Sequence, residues 1–555
     1  MFVRTLTRGN RTYLQIVESR RQQGRITQRV IASLGRLDIL QQSGGLDGLM
    51  QSMQRFSGKL AILGVLDQKN SLALRYRRIG APLLFDRLWR ELGIDQVIAR
   101  AAQGRKFEFP LERALFTTVL HRLVHPGSDR AALRWLEDYR IPGMQSLDFD
   151  LQHFYRAMGW LGTPLAENEQ DGATPFSPRC VKDLIEEDLF ARRRNLFSGL
   201  DLVFFDTTSI YFEGNGGQTL GRRGHSKDHR PDLRQLVVGM VLDDTGYPVC
   251  AEIWPGNTAD VSSLIPVSER LKKRFHVGRI CVVADRGMVS QATKKALEAM
   301  GWLYILGARM RNEKEVRDVV LADISPFVEI TGARKNSKDP SPLKVKEVRV
   351  EDRRYVVCLN EEEARKDRHD REAILASLSD ALKRGDKTLV GNKGYRRYLS
   401  GGEKHFAIDR AKAEEDARYD GLWVLTTNTA LPAEEVARKY KQLLLVEDIF
   451  RQTKTLLETR PVWHKRDDTI RGHVWCAFLA LMLRKELRDR LERSRKEDEI
   501  RLEWAEIIEG LESLGEAEIG TGGKRYMMRT EAKRAAIRAF SAVGMALPPV
   551  IRLIE

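Results

Sequence analysis

The chain has 555 residues, 93 Lys and Arg against 77 Asp and Glu, a formal charge of +16, and 42% hydrophobic residues. That balance predicts two to four compact units with a standing attraction for polyanions, and it excludes a short peptide, a disordered chain and a collagen-like one. The longest apolar run, Val474 to Leu483, lies between His473 and Arg484 and is too short for a bilayer core about 30 Å thick, so no membrane partner is expected.

The N-terminal stretch MFVRTLTRGNRTYLQIVESRR is basic and lacks the continuous apolar segment of a signal peptide, which predicts a cytoplasmic protein. Residues 1–40 hold eight Arg and two acids, with β-like runs TYLQIV and RVIASLG, so 1–70 reads as a small basic β-rich module. The segments LLFDRLWRELGI, ERALFTTVLHRLV and DRAALRWLEDY space apolar residues three or four apart, which makes 71–180 a helical domain and a candidate DNA-binding one, although no recognition helix can be picked out of it. The Pro-rich stretch 162–179 reads as a linker before the helix VKDLIEEDLFARRR. Cys180, Cys250, Cys281, Cys358 and Cys476 form no CxxC pair and read as buried thiols.

Three strands follow, LDLVFFDTTSIYF, LRQLVVGMVLD and YPVCAEIW, the last two joined by an Asp-Thr-Gly turn. A helix over SSLIPVSERLKKRF, the strand RICVVAD, the helix SQATKKALEAM and the strand WLYILGA complete the order β-β-β-α-β-α-β. That order predicts an α/β, ribonuclease-H-like catalytic domain over 181–309 and 421–480. The charged segment 310–420, with the strand pair VKEVRVED and RRYVVCLN, reads as a β-rich insertion. After GLWVLTTN, a long helix starts at Pro432, and 481–555 is expected to be a helical tail.

Two carboxylates fall at one edge of this sheet. Asp206 lies in the apolar strand VFFDTTSIYF, where an unpaired charge costs several kcal/mol, and Asp285 ends ICVVAD. Either could instead cap a strand or pair with a neighbour such as Arg286. On a helical wheel of YKQLLLVEDIFRQTK, Tyr440, Leu444, Glu447, Arg451 and Lys454 share one stripe beside a core-facing strip of Leu443, Val446, Phe450 and Leu457. Glu447 could pair with Arg451 at i+4, and its rival Asp448 points about 100° away. The loop GRRGHSKDHRPDLR offers Arg222, Arg223, Lys227 and Arg230 to phosphate, or is a solvated loop; Pro231 and its glycines disfavour a metal site at His225, Asp228 and His229. In WHKRDDTIRGHVW, Lys465, Arg466 and Arg471 are candidate phosphate contacts, with Trp463 and Trp475 expected in the core.

Together, FFDTTSIYFEG, GHSKDHRPDLRQLVVGMVLD, GNTAD, VVADRGMVS, YKQLLLVEDIFRQTK and RPVWHKRDDTIRGH resemble the DDE transposases of bacterial insertion sequences, in the IS4 superfamily and closest to its IS1634 branch. The resemblance implies Asp206, Asp285 and Glu447 as catalytic and metal-holding residues, with Tyr440 and Lys454 in signature positions and, with Arg451, facing DNA. It implies Mg²⁺, or Mn²⁺, as two ions: Asp206 bridging both, Asp285 on one and Glu447 on the other, for in-line displacement at phosphorus. The partners implied are double-stranded element ends and target DNA, a homodimer in the synaptic complex, and a place with the nucleoid. Two positions depart from the family: Leu443 stands where the signature has Arg, and Met288 where many relatives have an aromatic residue. The alternatives are a nuclease without strand transfer and a decayed transposase that only binds DNA.

Overall fold

A computed structural model describes residues 2–22, 25–53, 75–144, 149–174, 177–193, 202–276, 280–330, 343–384, 395–400, 406–452, 454, 459–496, 498–521 and 524–554. The chain forms two compact units. One comprises Met1–Arg87, Arg134–Ser146 and Leu487–Glu555, and the other Leu88–Leu133 and Leu147–Glu486.

The first unit opens with an antiparallel sheet of β1 (Phe2–Arg8), β2 (Arg11–Gln22) and β3 (Arg25–Arg36), followed by short helices over Leu37–Gln42 and Gly45–Met53. β4 (Arg75–Arg78) takes its partner from the other end of the chain, as described below.

The second unit carries a nine-stranded mixed sheet. β5 (Leu202–Tyr211), β6 (Gln235–Leu242) and β7 (Pro248–Pro255) are antiparallel. The helix Leu264–Phe275 leads to β8 (Cys281–Ala284), and the helix Gln291–Ala299 leads to β9 (Leu303–Gly307). β8 runs parallel to both β5 and β9. These strands form because β-branched and aromatic residues fill them, and β6 is buried along its whole length, as a strand packed on both faces must be. Val203, Phe205, Trp254, Leu271, Val282, Leu297 and Trp302 make the core on one face. Burying one such large side chain contributes about 1.5 to 3 kcal/mol. Gly239 in β6 is needed for this packing, since a Cβ there would stand 2.8 Å from the Trp254 ring and 2.9 Å from Phe205.

The segment 310–420 differs from the expected β-rich insertion. β10 (Val328–Ile330), β11 (Leu343–Val350) and β12 (Arg353–Asn360) join the main sheet, and a 24-residue helix, Glu361–Arg384, follows them. A two-strand pair, β13 (Leu399–Ser400) and β14 (Ala407–Ile408), precedes the helix Arg410–Ala417 and β15 (Leu422–Thr427). The sheet order is β10-β11-β12-β15-β9-β8-β5-β6-β7. Alternation correctly marked VKEVRVED and RRYVVCLN as strands, but it carries no information about which strand lies beside them.

The expected helical tail also needs correction. Beyond the 28-residue helix Asp467–Ser494 and the helix Trp504–Glu512 come β16 (Gly515–Thr521), β17 (Lys524–Arg529), the helix Arg534–Ala542 and β18 (Ile551–Leu553). These strands and β4 form a sheet in the order β18-β17-β16-β4. Glu516, 2% exposed, accepts from Arg140 at 3.3 Å and Arg552 at 2.8 Å.

Among the predicted helices, Leu111–Val124 is buried nearly all round, which excludes it as a recognition helix laid on DNA. The long helix expected from Pro432 is two helices, Ala433–Lys441 and Leu444–Arg451, and Pro432 lies one position before the first. No described helix is long and apolar enough to cross a membrane.

A neutral set of buried charges braces the helix Val181–Arg193 against β7 and the helix Leu264–Phe275. Lys182 meets Asp183 at 2.8 Å, Arg270 meets Glu252 at 3.0 Å, and Arg274 meets Glu186 at 2.6 Å. The indole of Trp475 donates to Glu186 at 3.0 Å, so that helix Asp467–Ser494 is tied in as well.

Candidate active site

The parallel register of β5 and β8 pairs Phe205 with Ala284, so the next residue on each strand is a carboxylate, Asp206 and Asp285. β8 ends there and the chain turns through Arg286–Met288. The Thr207 N–H donates to Asp206 Oδ1 at 2.7 Å. Burial pushes Asp206 up to about 6, against the pull of Lys227 and the Thr207 N–H, and Asp285 and Asp260 raise it further. The charge of Asp285 therefore reaches Asp206.

Glu447 arrives on the helix Leu444–Arg451, which lies against β5 and buries Val446 and Phe450. Partial burial and the charge of Asp285 both raise its pKa. Arg451 pairs with Asp448, three residues before it, and the charge of Asp285 reaches Glu447. Leu443 is 6% exposed, so the departure from Arg is absorbed by the core, as are Val446 and Phe450; Leu457 lies outside the described residues. Met288 is likewise core, 1% exposed, which removes it from any stacking role.

Tyr440 sits on the other side of the helix break, and its hydroxyl donates to Asp285 Oδ1 at 3.0 Å. Burial and Asp285 push its phenol well up, so it remains a donor. Gly307 makes room for this bond: a Cβ there would lie 2.7 Å from the Tyr440 hydroxyl and 2.9 Å from the Arg286 nitrogen.

Sequence reasoning missed Asp260, in the turn after β7. The Thr207 hydroxyl donates to Asp260 Oδ1 at 2.6 Å, and Lys227 lies 3.0 Å from Asp260 Oδ2. Its place at the end of GNTAD gave little signal, since an Asp in a Gly-Asn turn looks like ordinary turn chemistry.

The predicted DNA-facing cations divide into two groups. Lys227 and Lys454 have their charges committed to carboxylates of the protein, Lys227 at the surface and Lys454 largely buried. Lys454 meets Asp228, 3% exposed, at 2.6 Å, Arg460 meets the same carboxylate, and burial lowers the Lys454 pKa. That pairing also uses the acid of the disfavoured His225, Asp228, His229 cluster. Arg222, Arg223, Arg230, Arg451, Lys465 and Arg466 are exposed, with Arg230 held by Asp232 at 2.9 Å and Arg466 by Asp468 at 2.5 Å. Arg471 is buried. Trp475 is core as expected, but Trp463 is 67% exposed beside Lys465 and Arg466. A cleft of about 690 Å³ nearby is bordered by Arg105, Lys106, Arg156 and Arg466, with Phe107 and Tyr155 in its wall.

Among the described residues, only Asp129, His464 and His473 bring three ligating atoms within 4.8 Å of one another. A cation is already there: Arg122 donates to His473 Nδ1 at 2.8 Å and lies 4.0 Å from Asp129. Although burial opposes it, His464 and Arg122 hold Asp129 down to about 2, while burial pushes His473 well below the usual imidazole range. The Arg122 guanidinium therefore supplies the counter-charge to Asp129 in this network. Asp206, Asp285 and Glu447 offer only carboxylate oxygens. As an all-oxygen set of mutually repelling carboxylates, they fit hard divalent cations.

Two comparisons with family models bear on this arrangement. Residues 3–68 match the IS1634 family transposase N-terminal domain, and residues 198–483, just over half of the chain, match the transposase DDE domain. No curated protein matches the chain.

Proposed function

Because the chain belongs to the DDE transposases of the IS1634 family, a DNA transposase fold that uses divalent metal ions, we propose that Asp206, Asp285 and Glu447 are its catalytic residues. The single observation that carries this reading is the β5–β8 register, which sets Asp206 and Asp285 side by side, with Glu447 raised by burial and by the charge of Asp285. The strand order β7-β6-β5-β8-β9, with both acids at the edge where parallel strands end, supports a ribonuclease-H-like reading of the catalytic core.

The three carboxylates would hold two Mg²⁺ or Mn²⁺ ions, which supply activation of the attacking oxygen and neutralisation of the leaving one. The chain's own residues prepare that site. The Thr207 N–H fixes one oxygen of Asp206, and the Tyr440 hydroxyl fixes one oxygen of Asp285. Each aspartate therefore keeps its other oxygen free. Arg222, Arg223, Arg230, Arg451, Lys465 and Arg466 would meet phosphates, and the basic cleft with Trp463 beside it extends that surface. Element ends and target are the DNA substrates, and two copies assemble to hold two ends.

Incubating the protein with Mg²⁺, end-bearing DNA and a target plasmid is expected to give both cleaved and joined products. Cleaved DNA without joined product would instead identify a nuclease. Asp206→Asn, Asp285→Asn and Glu447→Gln should each lose cleavage by at least about 10³-fold while retaining end binding in a gel-shift assay. Cleavage persisting in all three would sink the site, and its absence in the natural chain would favour a decayed enzyme.

A further inference from the structure

Next to the proposed triad lies a closed ring of hydrogen bonds. Lys227 Nζ donates to the Thr207 carbonyl at 2.8 Å and to Thr207 Oγ1 at 2.9 Å, and it lies 3.0 Å from Asp260 Oδ2. Thr207 Oγ1 in turn donates to Asp260 Oδ1 at 2.6 Å. An ammonium has three protons, and here all three have acceptors. Both oxygens of Asp260 are engaged as well. Backbone contacts fix the ring to the sheet: the Lys227 N–H donates to Ser209 Oγ at 2.8 Å, and Thr207 is 2% exposed within β5.

We propose that Asp260, Thr207 and Lys227 act as one positioning unit for Asp206, which makes Asp260 and Lys227 part of the catalytic machinery without contact with DNA or metal. This rests on the assignment of Asp206 to metal binding. The peptide that carries the Thr207 N–H, whose bond orients Asp206, also begins the residue whose carbonyl and hydroxyl the ring holds. Fixing Thr207 at both groups fixes that N–H. With both oxygens occupied, Asp260 is kept out of the metal shell, and Lys227 is kept off the DNA.

The test separates positioning from simple charge. Removing a cation beside a carboxylate site should tighten divalent binding by electrostatics, and removing an anion should weaken it. If the three residues act as a unit, every disruption weakens it. Mn²⁺ binding is measured by electron paramagnetic resonance on the full, DNA-free chain. Lys227→Met, Asp260→Asn and the isosteric Thr207→Val should each raise the dissociation constant about tenfold, whereas Thr207→Ser should leave it unchanged. The Lys227→Met, Asp260→Asn double variant should be no weaker than either single one. Thr207→Val, which keeps the shape of the buried strand, serves as the arbiter if the charge variants fold poorly. Tighter binding in Lys227→Met, unchanged binding in Thr207→Val, or loss of one bound ion in Asp260→Asn would each overturn the proposal, the last by making Asp260 a ligand. Asp206→Asn provides the separate control: if it leaves Mn²⁺ binding intact, the triad assignment fails rather than the ring.

Discussion

At the scale of single residues, the site is held in a state that the metal-free fold resists. Asp206 has an ordinary value of 3.8 and is pushed up to about 6, first by burial and then by its acidic neighbours. A carboxyl raised on folding contributes stability that is fully present below about pH 4 and is lost as pH rises through about 6. Asp206→Asn should therefore be more stable than the natural chain at pH 7.5 without divalent ions, by on the order of 2 kcal/mol. That advantage should close as pH falls toward 4. Thermal melts at the two pH values check this, and an equal difference at both would refute it. Tyr440→Phe deletes the donor to Asp285 and nothing else. A hydrogen bond to a charged group is worth about 1.5 to 3 kcal/mol, so cleavage at saturating DNA should fall roughly 10- to 100-fold with end binding unchanged.

At the scale of elements, the buried ion cluster makes the sharpest prediction. Arg274 meets Glu186, Glu187, Asp183 and Glu252 with its side chain 1% exposed. Arg274→Met leaves buried carboxylates without their counter-charge and should destabilise the unit by about 3 to 5 kcal/mol, read as a lower urea midpoint. The elements themselves were largely legible in the sequence. β5 to β9 and their two crossover helices follow the apolar periodicity, and the two aspartates were found because a charge in an apolar strand is conspicuous. Other features depended on tertiary contacts. The break at Gln442–Leu443 has no Gly or Pro to mark it, so Tyr440 and Glu447 appeared on one continuous stripe. Asp260 and Lys227 meet through a fold in which neither sits near the other in sequence. Trp463 was assigned to the core because indoles usually bury themselves, and the basic segment around it offered no contrary signal.

At the scale of the whole molecule, the excess of 16 positive charges sets the salt response rather than the specificity. Binding of end DNA should weaken linearly in log salt, and if six to ten phosphates are met, by about 10³ to 10⁵ between 50 and 200 mM. Fluorescence anisotropy across that range measures the slope, and a flat line would show that the surface charge does not meet phosphate. Unit boundaries were the least legible feature of all. β4 pairs with β16, so that Arg77 stands opposite Glu516, and no local pattern announces a partner at the far end of the chain.

The neighbouring positions of β9 and β15 have a consequence for the order of events during synthesis. Gly307, which makes room for the Tyr440 hydroxyl, is paired across the sheet with Leu425, and everything between them must emerge before that pair can close. A ribosome that has delivered both aspartates has delivered neither Tyr440 nor Glu447. Long-range strand pairing is slow, and the helices that carry Tyr440 and Glu447 follow β15 in the chain. Under the proposed triad, no nascent chain shorter than 447 residues holds all three carboxylates.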